Sequence, residues 1–143
     1  MKIRSAVPAD ADDIYRLLSG FVTSYRPQRD VFDRVTFPRV LDAAVNGGAE
    51  FLVAEQDARV VGYVLALRMP TLFAGGAVLE VLELTVDAPL RGRGTGAALI
   101  RAVQARAREA HDVEVTVPTR RAARFYRGLG FLETASYLKW ATS

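Results

Sequence analysis

The chain has no cysteine and only one histidine, His111, among its 143 residues. Without thiols there is no disulfide, no Cys-ligated zinc, no iron–sulfur cluster and no thiol nucleophile. A Ser-His-Asp arrangement is open only through His111, and a His-rich metal site is excluded, so no metal is expected. No apolar run approaches the roughly 20 residues of a membrane span. The opening MKIRSAVPADADD lacks the apolar core of a secretory signal, so the expectation is a soluble, cytoplasmic protein with no membrane partner. Repeats, low-complexity tracts and linker-like stretches are also missing, which predicts a single domain over 1–143. A chain of this length buries roughly 68–70% of its unfolded surface and needs no covalent staples.

What the chain does have is a local basic excess. Its net charge is only +3, but nine arginines lie between Arg91 and Arg127 against Glu109, Asp112 and Glu114. That segment carries +6 and the remainder −3. Such clustering suits a small anionic ligand or a solvated helix face, and a nucleic-acid surface is the weakest reading of it.

Periodicity predicts the element order. Residues 2–7 alternate as an edge strand. Pro8 and the acids Asp10, Asp12 and Asp13 open a helix over 9–20. The stretch 21–35 reads as irregular around Pro27, and a second helix covers about 36–46. Strands follow at 50–56, 59–68 and 78–87, the first two forming a hairpin across Gln56-Asp57-Ala58. Residues 95–110 carry Leu99, Val103 and Ala107 on one helical face. A short strand at 113–117 precedes a helix from Thr119, a natural N-cap, to about Gly128. Phe131–Glu133 and Tyr137–Trp140 complete the pattern as a terminal strand pair. The expectation is a mixed α/β sheet of six to seven strands with four helices.

Chemistry concentrates at Leu84-Thr85-Val86-Asp87-Ala88-Pro89-Leu90-Arg91-Gly92-Arg93-Gly94-Thr95-Gly96. A β-branched strand ends, Pro89 breaks the ladder, and a glycine-rich turn opens a helix. Glycines there let backbone N–H groups approach a phosphate at the positive end of the helix, and Arg91 and Arg93 add charge. A P-loop is excluded, because Ala97-Ala98 stand where Lys-Ser/Thr is required. A dinucleotide turn fits poorly, because Ala88–Arg91 separate strand from glycine and too little chain follows for a second mononucleotide half.

The pattern Arg91-x-x-Gly94-x-Gly96 after Leu84-Thr85-Val86-x-x-Pro89 resembles the acyl-CoA pyrophosphate loop of the GNAT superfamily of N-acyltransferases. Ala123-Arg124-Phe125-Tyr126-x-x-Leu129-Gly130-Phe131 resembles that family's second signature, and the likeness extends over essentially the whole chain. It implies a GNAT-like fold and acetyl-CoA bound by Arg91, Gly92, Arg93, Gly94, Thr95 and Gly96. Backbone groups of Leu84, Thr85 and Val86 would meet the pantetheine in a gap between diverging parallel strands. Tyr126 matches the general acid. Glu83 is the first candidate for the base, Glu114 the second and Glu80 the third. Thr119 stands where relatives often carry asparagine, and a hydroxyl there can cap the helix and touch the cofactor.

An acceptor site built from 21–35, Met69–Gly76 and the terminal hairpin would use Tyr25, Phe32, Phe73 and Tyr137, together with Phe21. The implied activity is acetyl transfer to a primary amine, with a small-molecule acceptor first. A peptide N-terminus or protein lysine, or an acyl-CoA sensor without turnover, are the alternatives, and a homodimer is compatible with any of them.

Overall fold

Apolar alternation along 49–86 builds three consecutive antiparallel strands, and they form the centre of the molecule. The computed structural model describes residues 1–21 and 24–142. One sheet runs in chain order: β1 (Lys2–Ser5), β2 (Ala49–Gln56), β3 (Arg59–Pro70), β4 (Ala77–Val86) and β5 (Glu114–Thr116). The first four pair antiparallel, and β5 joins β4 in parallel. Asp57 and Ala58 link β2 to β3 with φ of 53° and 61°, the two-residue left-handed turn that matches strand twist.

Each sheet face carries its own core. On one, Leu52, Val64, Ala66, Leu79 and Val81 pack under α4 (Thr95–Glu109), whose Leu99, Val103 and Ala107 point inward as their spacing requires. On the other, Phe51, Val53, Tyr63 and Leu65 pack under α1 (Ala11–Ser19) and the next helical run. A short α5 (Ala123–Arg127) closes the first face.

Two expectations about the elements are corrected. The stretch expected to be irregular to residue 35 is helical from Arg29: α2 (Arg29–Val31), a π turn (Phe32–Thr36) and α3 (Phe37–Val45) run continuously. Pro38 explains the wide turn, since proline lacks an N–H and its ring collides with the carbonyl four residues back in an α-helix. The Phe37 N–H donates instead to Phe32 O. This places the two rings in a stack with centroids 4.9 Å apart and buries Phe32 to 5% exposure. The second correction is the strand count. Among the described residues the sheet has five strands, because neither Phe131–Glu133 nor Tyr137–Trp140 pairs. The last strand, β5, pairs over only three residues and offers little edge for a further strand.

A buried ion pair anchors β1 to the start of α1. Arg4 donates to both Asp10 carboxylate oxygens at 2.8 and 2.9 Å and to Glu55 at 2.8 Å, and the Val7 N–H also reaches Asp10. Burial raises the Asp10 pKa, but Arg4 and the Val7 amide outweigh it and hold the carboxyl below its usual range. Asp10 therefore stabilises the fold above the unfolded carboxylate pKa of about 3.9, and that contribution fades as pH falls through the lower folded value. Asp10→Ala leaves Arg4 with Glu55 alone and removes the acceptor of the Val7 N–H, and should cost about 2 kcal/mol at pH 7, lowering Tm by about 4–8 °C. Thermal melts at pH 7 and pH 2.5 test this. The penalty should shrink at the lower pH, and an equal penalty at both would remove the ion pair from the account.

Candidate active site

The site begins with a bulge. Leu65 lies opposite Glu83, whereas the next residue of β3, Ala66, lies opposite Val81, so β4 carries one extra residue at Leu82. Regular alternation from Val81 would send Glu83 to the α4 face. The bulge flips that parity and puts Glu83 and Thr85 on the α1 face with Leu65 and Tyr63. There the Tyr63 hydroxyl donates to Glu83 Oε1 at 2.7 Å. Tyr63 is 2% exposed, and burial, reinforced by the adjacent carboxylate, lifts its pKa far above the usual phenol value. It stays protonated and remains a donor.

Next, β4 and β5 part. Their ladder covers only Val78–Glu80 against Glu114–Thr116, and Thr116 Oγ1 closes it by donating to Glu80 Oε1 at 3.0 Å. Beyond that point β4 runs on through Val86 with this edge uncovered. The Asp87 N–H turns to Val61 O at 2.8 Å, so alternation turns the backbone groups of Leu84 and Val86 outward to the open edge.

The glycine-rich turn then supplies a cradle. Gly92 and Gly94 have φ of 78° and 87°, and Gly94 caps α4 in the left-handed conformation. Among the described residues, the N–H groups of residues 92 through 97 donate to no protein acceptor. Six consecutive amides at a helix start, flanked by arginines, make an anion nest. Gly62 on β3 lets α4 come this close, since a Cβ there would meet Thr85 O at 3.1 Å and Leu99 Cδ1 at 3.3 Å. Arg91 folds back, its Nε donating to Val86 O at 3.2 Å.

Strand edge and cradle meet in a groove of about 470 Å³, walled by Phe21, Leu84, Val86, Leu90, Gly94 and Phe125 among others. That volume lies within the usual range for small-ligand sites. A second cavity of about 220 Å³ adjoins it through Phe21 and is lined by Tyr15, Leu18, Tyr25 and Pro27. Lys139 Nζ sits 5.8 Å from the Tyr25 ring centre, so the C-terminal segment that carries exposed Tyr137 passes this cavity.

The predicted residues separate accordingly. Leu84, Thr85, Val86, Arg91, Gly92, Gly94 and Gly96 line the groove, with exposed Arg93 and buried Thr95 alongside. Glu83 lies two residues from Thr85 on one face, about 7 Å along the strand. Glu114 is not brought there. It pairs with Val78, five residues back from Glu83, or about 16 Å. Of the acceptor aromatics, Phe32 is in the core and Phe73 sits on the exposed β3–β4 turn, some 20 Å along β4 from Glu83. Thr119 is not the helix N-cap expected of it: α5 starts at Ala123 with Ala122 as its cap, and Thr119 Oγ1 accepts from the Ala122 N–H at 3.0 Å within the turn that precedes the helix.

Tyr126 is packed between Phe125 and Phe131 and does not line the groove; Phe125 does. Burial pushes the Tyr126 pKa up to about 12, so the phenol holds its proton at any working pH. Sequence reasoning missed Tyr63, which lies inside an unbroken apolar strand and gives no local sign of function.

The model of the Acetyltransferase (GNAT) family matches residues 11–131. N-acetyltransferase family 8 member 2 of Rattus norvegicus is 34% identical over 97 residues, covering 65% of this chain and 43% of that protein. The chain thus spans less than half the length of this curated relative. Among solved structures, glucosamine-6-phosphate N-acetyltransferase from Arabidopsis thaliana superposes with a TM-score of 0.85 at 16% identity, covering 99% of this chain and 98% of that one. An acetyltransferase from Trypanosoma brucei gives a TM-score of 0.81 at 23% identity, covering 98% of each chain. Both share the fold described above.

Proposed function

The chain belongs to the GNAT acetyltransferase family, and from that premise we propose that it moves an acetyl group from acetyl-CoA to the primary amine of a small molecule. The observation that carries the donor is the row of six uncommitted amides beside the open edge of β4. A pyrophosphate offers the anionic oxygens such a row lacks, so the residues present fit the group. Residues 92 through 97 would hold the pyrophosphate, and Leu84 and Val86 would pair with the pantetheine amides. When bound, acetyl-CoA supplies an activated acyl group and a thiolate leaving group.

Two proton problems remain for the protein. A primary ammonium with pKa about 10.4 is neutral only about 4 times in 10⁴ at pH 7, a penalty of about 4.6 kcal/mol. A carboxylate is a far weaker base than an amine and cannot strip that ammonium outright. Glu83 instead suits the later step. It accepts the proton as the C–N bond forms and the nitrogen becomes acidic, directly or through a water. A backbone N–H among residues 84–86 polarises the carbonyl oxygen.

At the other end, full transfer from a phenol near pKa 12 to a thiolate whose acid has pKa about 8.5 is uphill by about 3.5 pK units. Tyr126 is therefore no proton source, and to donate a hydrogen bond to the departing sulfur its hydroxyl must turn toward the groove that it does not line in this structure. Tyr126→Phe should lower kcat about 10- to 100-fold while moving KM for acetyl-CoA much less. An unchanged kcat would confine Tyr126 to the core.

The cavity of about 220 Å³ beside the groove, which mixes Tyr15, Phe21 and Tyr25 with Ser19, Arg26 and Gln28, suits a small acceptor better than an extended peptide. Calorimetry with acetyl-CoA, followed by thiol release across a panel of small amines and peptides, tests both halves. Absence of binding at millimolar acetyl-CoA overturns the donor assignment. Turnover on peptides alone would overturn the acceptor assignment, and binding without any turnover would leave a sensor.

A further inference from the structure

Tyr63 has no counterpart in the chemistry described so far, yet its hydroxyl is the only protein group that hydrogen-bonds the Glu83 carboxylate among the described residues. The ring is fully buried, and it packs edge-on to Phe51 with centroids 6.0 Å apart, so the hydroxyl has little freedom to swing away. Its position is dictated from a different strand. Tyr63 stands opposite Thr85, and Leu65 opposite Glu83, so the phenol reaches diagonally along the pair to the carboxylate. The bulge at Leu82 is what makes that reach possible, because it turns Glu83 to the Tyr63 face. A hydroxyl donating at 2.7 Å makes a well-formed hydrogen bond that ties down that oxygen. It engages Oε1, and Oε2 takes no hydrogen bond from the protein among the described residues.

We propose that Tyr63 is a positioning residue for acetyl transfer: it fixes the Glu83 carboxylate by one oxygen and presents the other oxygen to the amine. This rests on Glu83 as the base. Holding a base in one rotamer acts on the reacting geometry and leaves binding of the acyl donor untouched. Loss of the hydroxyl should therefore appear in kcat, and it should appear only while Glu83 is a carboxylate.

A double-mutant cycle on the full chain reads this out, using Tyr63→Phe, Glu83→Gln and the pair, with the best amine from the panel. Tyr63→Phe keeps the ring and its packing. Alone it should lower kcat about 10- to 100-fold and leave KM for acetyl-CoA within about threefold. In the Glu83→Gln background it should lower kcat by less than about twofold. If Glu83→Gln is impaired while Tyr63→Phe matches the parent in kcat, the positioning role is wrong and Glu83 stands. If Tyr63→Phe causes the same loss in both backgrounds, Tyr63 acts through the fold, and the proposal is likewise overturned. If Glu83→Gln itself retains full kcat, the base assignment fails, and with it the role given to Tyr63.

Discussion

Glu83→Gln is expected to lower kcat about 10²- to 10⁴-fold, the span general-base catalysis commonly contributes, with little change in KM for acetyl-CoA. Glutamine keeps the shape of the side chain, and its carbonyl oxygen still accepts from Tyr63, so the local packing survives. What disappears is the ability to take a proton. Steady-state rates across an acetyl-CoA series measure kcat and KM for both proteins. Glu114→Gln is the natural control, since the structure places Glu114 on the far side of the short β4–β5 ladder, and it should retain parent kcat. The opposite pattern, with Glu114→Gln impaired and Glu83→Gln normal, would move the base to the neighbouring strand.

Gly94→Asp is expected to weaken acetyl-CoA binding by about a hundredfold or more. A Cβ at Gly94 would meet nothing within 4 Å, so the cost is not a clash. It has two parts that can be separated. The φ of 87° disfavours any side chain, by about 1–2 kcal/mol for ordinary residues and less for asparagine and aspartate. The second part is charge: a carboxylate about 5 Å from a phosphate at an effective dielectric constant near 20 is repelled by about 3 kcal/mol. Gly94→Asn carries the first part with almost none of the second and should bind within about tenfold of the parent. Calorimetry on the three proteins decides the matter. Equal weakening by asparagine and aspartate would mean that strain alone operates and that no anion sits over the turn.

The cradle was legible in the residues because its information is local. Glycines at 92 and 94, a helix beginning at Thr95 and arginines at 91 and 93 are neighbours in the chain, and covalent spacing delivers them together. The inward face of α4 was legible for the same reason. The stretch 21–35 was misread because Pro27 and scattered charges hide a helix whose wide turn exists only to accommodate Pro38. Phe32 then moved from a presumed acceptor wall to the core. The terminal strands were misread because alternation states a preference, while pairing requires an edge long enough to accept it.

Glu83 is the sharpest case of the divide. Composition and spacing alone settle that this chain has no thiol, no His cluster and no long apolar run, that its elements alternate as α/β, and that a glycine turn opens its longest helix. They also place a carboxylate one residue before the strand segment that faces the turn. They do not say which side of the sheet that carboxylate occupies, since a two-residue period assigns a face only while the register holds. The extra residue at Leu82 belongs to the pairing of two strands, and Tyr63 lies 20 positions away on the other one. The face of Glu83, its donor, and the distance that separates Glu114 from it all arise from that pairing, because register is a relation between segments and no single segment contains it.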